Sequence, residues 1–116
     1  MNLFTYLLLG HLVGDYLLQN TWMAMNKANK WIPLLTHCVL YTLSLVAAMV
    51  VGGFSLSYLA IAVIFVSHVF LDKRTFVLWW VRIIMGVHKP EGNWLTIVVD
   101  QVFHLLVIGA IIHILY

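Results

Sequence analysis

Four apolar runs make up most of the chain and restrict its fold more than any other feature of the sequence. They extend over about Leu3–Gln19, Pro33–Val51, Leu56–Asp72 and Trp94–Tyr116. A helix rises about 1.5 Å per residue, so runs of this length can cross a hydrocarbon core of ~30 Å, the shorter ones with some thinning of the bilayer. The pattern predicts an all-α integral membrane protein with four transmembrane helices.

The composition agrees with a membrane location. Of the 116 residues, 64% are hydrophobic and 9% are charged, whereas a soluble domain carries about 25% charged residues. A chain of this length is expected to form one domain, residues 1–116. Its net charge of +2 is too small for a nucleic-acid surface, so we expect no nucleic-acid partner. The single cysteine, Cys38, excludes an internal disulfide.

The basic residues predict the orientation of the helices. All six lie in two of the connections between runs: Lys27, Lys30, Lys73, Arg74, Arg82 and Lys89. The turn at 52–55 has none. Because basic residues gather on the cytoplasmic side, we expect both termini outside the cytoplasm. The first run has no basic start and no small-residue cleavage site, which favours a retained helix over a signal peptide.

The segment 75–89 differs from the four runs because it is short and cationic. Its two tryptophans, Trp79 and Trp80, are typical of the headgroup level of a membrane. We therefore expect a helix that lies in the interface. In the first run, Gly10 and Gly14 form a Gly-x-x-x-Gly pattern that allows close approach of a neighbouring helix or of a second copy of the chain.

Ionisable side chains occur inside the apolar runs, where a carboxylate at mid-depth costs on the order of 2.5–3.5 kcal/mol on insertion scales. His11 and Asp15 are four residues apart, so they share one helix face. The same spacing recurs in two other runs, and the second run adds a histidine: His37, His68, Asp72, Asp100 and His104. All seven lie toward the cytoplasmic ends of their runs. We expect them to converge in the cytoplasmic half of the bilayer.

Imidazole and carboxylate groups on facing helices are the usual ligands of a metal site in a bundle. We expect a divalent transition metal, Zn²⁺ in the first place and Fe²⁺ or Mn²⁺ as alternatives. The first-choice ligands are His11, His37, His68 and His104. The aspartates Asp15, Asp72 and Asp100 are expected to be ligands, general bases or groups that orient the imidazoles. The set exceeds one tetrahedral shell, so one metal and two metals both remain open.

Other interpretations of these residues also remain open. The His–Asp pairs could be purely structural, or they could form a proton or ion pathway, although the outer half of the runs offers few polar groups. We interpret His88 and His113 as hydrogen-bonded structural residues. Three further side chains are expected to support the pairs by hydrogen bonding: Gln19, Tyr41 and Thr96.

Several short motifs resemble, in order and spacing, a family of small bacterial membrane proteins of unknown function that also occurs in phage genomes. The motifs are His11-x-x-x-Asp15 with Gln19, Trp22 with Lys27, Leu34-Leu35-Thr36-His37, His68-x-x-x-Asp72 and Asp100-Gln101-x-x-His104. The resemblance implies a multi-pass protein of the bacterial inner membrane and no particular activity. A weaker likeness connects the His and Asp pairs to membrane-bound metal-dependent hydrolases.

The function expected from the sequence is therefore metal-dependent hydrolysis of a lipid or another amphiphilic substrate. The metal would activate water and polarise an acyl or phosphoryl oxygen, and Asp15 or Asp100 would act as the catalytic base. Membrane lipids and a second copy of the chain are the expected partners. Two alternatives remain: a small scaffold whose metal or His–Asp cluster only holds the helices together, and a metal or proton transporter.

Overall fold

The computed structural model describes all 116 residues, which form helices and no strands. The elements are α1 (Leu3–Leu12), which continues as a π-helical segment (Val13–Leu17), α2 (Thr21–Asn26), α3 (Trp31–Val51), α4 (Tyr58–Asp72), α5 (Thr75–Trp79), which continues as a second π-helical segment (Trp80–Ile84), and α6 (Trp94–Leu115). The prediction of an all-α fold is confirmed.

Four of these helices form a closed bundle. α1 packs against α3, α3 against α4, α4 against α6, and α6 returns to α1. The short α2 lies against α3, and α5 lies against α4 and α6. The bundle is elongated, with extents of 45 × 28 × 22 Å. Its long axis places the polar connections at one end and the termini at the other.

Contacts between connections identify the two ends. At one end, the ammonium group of Lys73 lies 4.3 Å from the ring centroid of Trp31, so the connections before α3 and after α4 meet. At the other end, the hydroxyl of Tyr116 donates to the carbonyl of Ser55 over 2.9 Å. The chain therefore runs up and down through the bundle, with the uncharged turn after α3 near the C-terminus.

The predicted number of spans needs correction. Only α3 and α6, with 21 and 22 residues, are long and apolar enough to cross a membrane by length and composition. The first predicted span ends at Leu17, and the third begins at Tyr58 and has 15 residues, about 22 Å of helix. The third helix begins later than expected because Ser57 caps it, its hydroxyl accepting a hydrogen bond from the amide of Ala60.

The predicted interfacial helix is also shorter than expected. Its helical part covers Thr75–Ile84, where we expected residues 75–89. The helix stops because Gly86 adopts a φ of +73°, a left-handed conformation that glycine takes without steric cost. The amide of Val87 then bonds back to the carbonyl of Val81 over 3.1 Å.

The Gly-x-x-x-Gly pattern brings α1 against α3 within the chain. A Cβ at Gly10 would lie 3.0 Å from the Cβ of Ala48, and one at Gly14 would lie 3.1 Å from the Cα of Tyr41. Both glycines are therefore needed for the distance between these two helices. This close approach positions the π-helical segment, which carries Asp15, next to the middle of α3.

Candidate metal centre

Six buried ionisable side chains from four helices form a cluster at the end of the bundle that carries the basic connections. Each is at most 3% exposed. We call them the His/Asp cluster: Asp15 from the π-helical segment of α1, His37 from α3, His68 and Asp72 from α4, and Asp100 and His104 from α6. Their convergence follows the sequence prediction, which placed all of them near the same ends of their helices.

Four donor atoms in this cluster are mutually close. His37 Nε2 lies 3.0 Å from Asp15 Oδ1, 3.0 Å from Asp72 Oδ2 and 3.0 Å from His68 Nε2. His68 Nε2 in turn lies 2.9 Å from Asp72 Oδ2 and 3.4 Å from Asp15 Oδ1. We call Asp15, His37, His68 and Asp72 the first donor group. The four ligand atoms lie within 4.8 Å of one another, close enough to bind the same metal ion.

These separations agree with those that a tetrahedral ion imposes on its ligands. At metal–ligand distances of about 2.0–2.1 Å, two ligands at the tetrahedral angle lie about 3.3 Å apart. The five measured separations are 2.9–3.4 Å. A set of two imidazoles and two carboxylates is also chemically suited to Zn²⁺, Fe²⁺ or Mn²⁺. The first donor group can therefore hold one such ion with small adjustments.

Hydrogen bonding alone leaves part of this group unsatisfied. Three nitrogens, from His37, His68 and Lys27, crowd within 3.1 Å of Asp72 Oδ2. The Nδ1 atoms of His37 and His68 are buried without a partner. Buried polar groups without partners are uncommon in native proteins and call for an explanation, such as an ion.

A second donor group adjoins the first and shares Asp15 with it. It consists of Asp15, Asp100 and His104, whose ligand atoms lie within 4.8 Å of one another. His104 Nε2 also lies 3.2 Å from Asp72 Oδ1. Asp100 Oδ1 and His104 Nε2 are both buried and form no hydrogen bond.

The charge of the cluster depends on the protonation state of its imidazoles. Three carboxylates are buried in it, and Lys27 is the only lysine or arginine within ion-pair distance, with its Nζ 3.1 Å from Asp72 Oδ2. With neutral imidazoles this leaves two negative charges in excess. Because an uncompensated buried charge is strongly destabilising, these two charges require either two protonated imidazoles or one divalent cation.

The family of the chain can now be stated. Residues 3–116 match the model of a protein family described as Protein of unknown function (DUF3307). The chain belongs to this family. No curated protein and no solved structure matches the chain. The DUF3307 match confirms the resemblance to a family of unknown function, and it indicates no hydrolase family.

In this DUF3307 chain, His11 lies beside the donor groups, and its two ring nitrogens are engaged elsewhere. Its Nε2 donates to Gln101 Oε1 over 2.6 Å, and the hydroxyl of Tyr41 lies 2.7 Å from its Nδ1. Its nearest approach to Asp15 is 4.0 Å. A neutral imidazole bonded at both nitrogens has no lone pair left for a metal. The predicted role of His11 as a ligand stays a prediction, and the geometry gives it a supporting position.

Gln101 and Lys27 contact the cluster, although the sequence motifs that contain them assigned them no role in it. Gln101 Nε2 donates to Asp15 Oδ2 over 2.9 Å, so this amide connects His11 to Asp15. Lys27 is 5% exposed and pairs with Asp72, whereas the sequence counted it only as an indicator of orientation. The sequence contains one indication that Gln101 belongs to the cluster: it follows Asp100 directly and is the only amide side chain in α6.

The remaining sequence predictions concern supporting residues. Tyr41 was expected to bond to His37, but its hydroxyl bonds to His11 and its ring stacks on His68 with centroids 3.6 Å apart. Thr96 donates to the carbonyl of Pro90, away from Asp100, and the buried side-chain oxygen of Gln19 forms no hydrogen bond. Two other histidines, His88 and His113, were interpreted as hydrogen-bonded structural residues, but both are exposed, His88 in the connection before α6 and His113 in the last turn of α6.

Proposed function

We propose that this chain is an integral membrane protein that binds a divalent transition-metal ion, Zn²⁺ in the first place, in its first donor group. One observation carries the proposal. Donor atoms of Asp15, His37, His68 and Asp72, contributed by three helices, converge at 2.9–3.4 Å in a buried cluster with two negative charges in excess when its imidazoles are neutral. Structural pairing of the same residues would place three nitrogen donors, from Lys27, His37 and His68, on the single oxygen Oδ2 of Asp72.

A membrane location is supported by the surface of the two long helices. A core helix of a soluble protein can be as apolar as α3 or α6, but most of it is buried. Here only 39% and 28% of the most apolar stretches of α3 and α6 are buried. Large apolar side chains are exposed on all sides of the bundle, among them Leu17, Val51, Tyr58, Val66 and Ile114. Lipid is the environment that covers such a surface.

We propose that α1 and α4 also cross the bilayer, which would have to thin locally around them. Both pack between α3 and α6 in the closed bundle, so they lie at the same depth. The basic residues gather at the end where Lys27 and Lys73 lie, which favours a cytoplasmic position for that end and for the His/Asp cluster. Both termini would then lie outside the cytoplasm of a bacterial cell.

The metal content of the purified protein tests the proposal. Full-length protein in detergent is dialysed against Zn²⁺, separated from free metal, and analysed for bound metal per chain. The double variant His37→Ala/His68→Ala is expected to lose the ion of the first donor group. The matched control is the double variant His88→Ala/His113→Ala, because both of these histidines are exposed and outside the cluster. The proposal fails if wild-type protein and both variants retain equal amounts of metal.

Hydrolysis is the second candidate function, and one feature favours it. A cavity of about 10 Å³ lies beside the cluster, with Tyr41, Ser67, His68 and His104 in its lining. This is about the smallest volume that holds a water molecule; the lining is mostly apolar, and Ser67, His68 and His104 supply its polar groups. A water here would be close enough to the cluster for activation by the bound metal.

In this proposal the oxygen of the activated water forms a bond to an acyl or phosphoryl centre. Asp100 would accept a proton from that water, the bond from the acyl or phosphoryl centre to the ester oxygen would break, and Asp100 would return the proton to the leaving alcohol. The test is release of alcohol from phosphoester and acyl-ester amphiphiles in mixed micelles by Zn²⁺-loaded protein. Asp100→Asn is expected to abolish the release. Metal-dependent stability without any release would favour the scaffold, and flux of Zn²⁺ into proteoliposomes would favour the transporter.

A further inference from the structure

The carboxylate of Asp72 presents one oxygen to each side of the His/Asp cluster. Its Oδ2 lies 3.0 Å from His37 Nε2 and 2.9 Å from His68 Nε2. Its Oδ1 lies 3.2 Å from His104 Nε2, on the side of the second donor group. A carboxylate placed in this way can join two metal ions, one at each oxygen.

His104 is oriented as a metal ligand through its other nitrogen. Its Nδ1 lies 2.6 Å from the backbone carbonyl oxygen of Asp100, and a carbonyl oxygen can only accept. Nδ1 therefore carries the proton, and in the neutral ring Nε2 carries the lone pair. Histidines that bind metals commonly donate their second N–H to a backbone carbonyl in this manner.

The lone pair of His104 then faces other acceptors. Its Nε2 is buried without a hydrogen bond, and so are Asp72 Oδ1 and Asp100 Oδ1. The side chains of all three residues are at most 2% exposed, so bulk water does not solvate these atoms. With a neutral imidazole, the lone pairs of His104 Nε2 and Asp72 Oδ1 face each other at 3.2 Å and repel unless a cation lies beside them.

We propose that a second divalent transition-metal ion binds to His104 Nε2, Asp100 and Asp15, and that Asp72 joins it to the ion of the first donor group. The inference rests on the proposed function, since it adds a second ion to the same cluster. Enzymes with paired metals hold them about 3.5–4 Å apart, a separation that a carboxylate can bridge. In this arrangement Asp100 would bind the second ion, and this replaces the role of proton acceptor that a single-ion site would give it.

The charge of such a pair agrees with the binding of an anionic ligand. One divalent ion neutralises the excess charge of the cluster, and the second leaves it positive. Hydroxide and the anionic group of a substrate would restore neutrality, as is common in paired-metal hydrolysis of phosphoesters. The amphiphilic substrate proposed above would then carry a phosphoester rather than a neutral ester.

Loading with Mn²⁺ tests the second ion, because paired Mn²⁺ ions give an exchange-coupled electron paramagnetic resonance spectrum that a single ion does not give. Full-length wild-type protein in detergent is expected to bind two Mn²⁺ per chain and to show this coupled spectrum. Asp100→Asn and, independently, His104→Gln are expected to bind half as much metal and to show the spectrum of an isolated ion. His113→Ala, an exposed histidine on the same helix, is the control and should bind as wild type does.

The outcomes separate the two proposals. If wild-type protein binds one Mn²⁺ without coupling, the second ion is overturned and the first donor group stands. If it binds no Mn²⁺ and no Zn²⁺, both proposals fail together. The coupled spectrum of the wild type tests the inference even if a variant does not fold.

Discussion

The Nε2 atoms of His37 and His68 face each other at 3.0 Å in the interior of the bundle. Each ring comes from a different helix, and the carboxylates of Asp15 and Asp72 close the space around them. Two imidazole nitrogens and two carboxylate oxygens at these separations match the ligand set of a tetrahedral metal site, and the two imidazoles lie at its centre.

Removal of metal should destabilise the protein. An ion that binds the folded state and not the unfolded state adds RT ln(1 + [L]/Kd) to the free energy of unfolding, about 2.7 kcal/mol at 100 times Kd. We expect 1,10-phenanthroline to lower the melting temperature of the Zn²⁺-loaded protein, and added Zn²⁺ to restore it. His37→Ala/His68→Ala should melt at the same temperature with and without chelator. An equal response of wild type and variant to the chelator would argue against this cluster as the binding site.

Gln101 should affect metal affinity without touching the metal. Its amide donates to Asp15 and accepts from His11, and residues in such supporting positions typically change metal affinity by about 10–100-fold. Gln101→Glu replaces the donor with a carboxylate that repels Asp15, so we expect weaker Zn²⁺ binding in a chelator competition assay. Asn29→Asp makes the same change of charge at an exposed position and should leave the affinity as it is.

Lys27 should stabilise the metal-free protein through its ion pair with Asp72. Removal of one partner from a buried pair typically costs about 3–5 kcal/mol. We expect Lys27→Met to lower the free energy of unfolding of metal-free protein by an amount of this order, measured by denaturant titration in detergent. Lys30→Met is the matched control because Lys30 is exposed, and it should have little effect. Equal effects of the two substitutions would contradict the assignment of Lys27 to the cluster.

Two glycines should respond oppositely to the same substitution. Gly14→Ala places a methyl group 3.1 Å from the Cα of Tyr41, so we expect a loss of about 1–3 kcal/mol from forced separation of α1 and α3. Gly109 lies within α6 with no atom within 4 Å of its added Cβ, so Gly109→Ala should gain up to about 1 kcal/mol of helix propensity. Thermal unfolding in detergent measures both. A loss at Gly109 as large as that at Gly14 would contradict the packing described for α1.

The orientation in the membrane can be checked with single cysteines. Asn29→Cys lies at the end with the basic connections, and Ser55→Cys lies at the opposite end, both at exposed positions. A membrane-impermeant maleimide applied to intact spheroplasts should label Ser55→Cys and not Asn29→Cys. The native Cys38 is fully buried and serves as the unlabelled control. Labelling of both positions from the same side would show that α3 does not cross the bilayer.

The sequence was sufficient for the class of fold and for most of the cluster. Helical spacing put His68 and Asp72 on one face, and the positions of the basic residues put His37 and Asp100 at matching depths. Both inferences need only periodicity and length. The lengths of α1 and α4 were overestimated because apolar residues extend beyond the helices: the first helix ends at Leu17, before Asn20 caps α2, and Ser57 caps α4 just after Leu56.

The rest depended on tertiary geometry that has no local signature. The π-helical segment around Asp15 changes the direction of its carboxylate, and no sequence pattern indicated it. His11 shares the spacing of the other pairs, yet Tyr41 and Gln101 occupy both of its nitrogens. Lys27 enters the cluster from a connection whose basic residues served, in the sequence, only to predict orientation. Which member of a His–Asp pair can bind a metal is decided by such partners on other helices.

X-ray absorption at the zinc edge tests the central claim most directly, because it reports the ligands of the bound ion. Zn²⁺-loaded wild-type protein should show only nitrogen and oxygen neighbours at about 2.0–2.2 Å, together with the outer scattering of imidazole rings. His37→Ala/His68→Ala should lose the imidazole signal of the first donor group. A sulfur neighbour at about 2.3 Å, or a shell of water alone without imidazole scattering, would contradict the account.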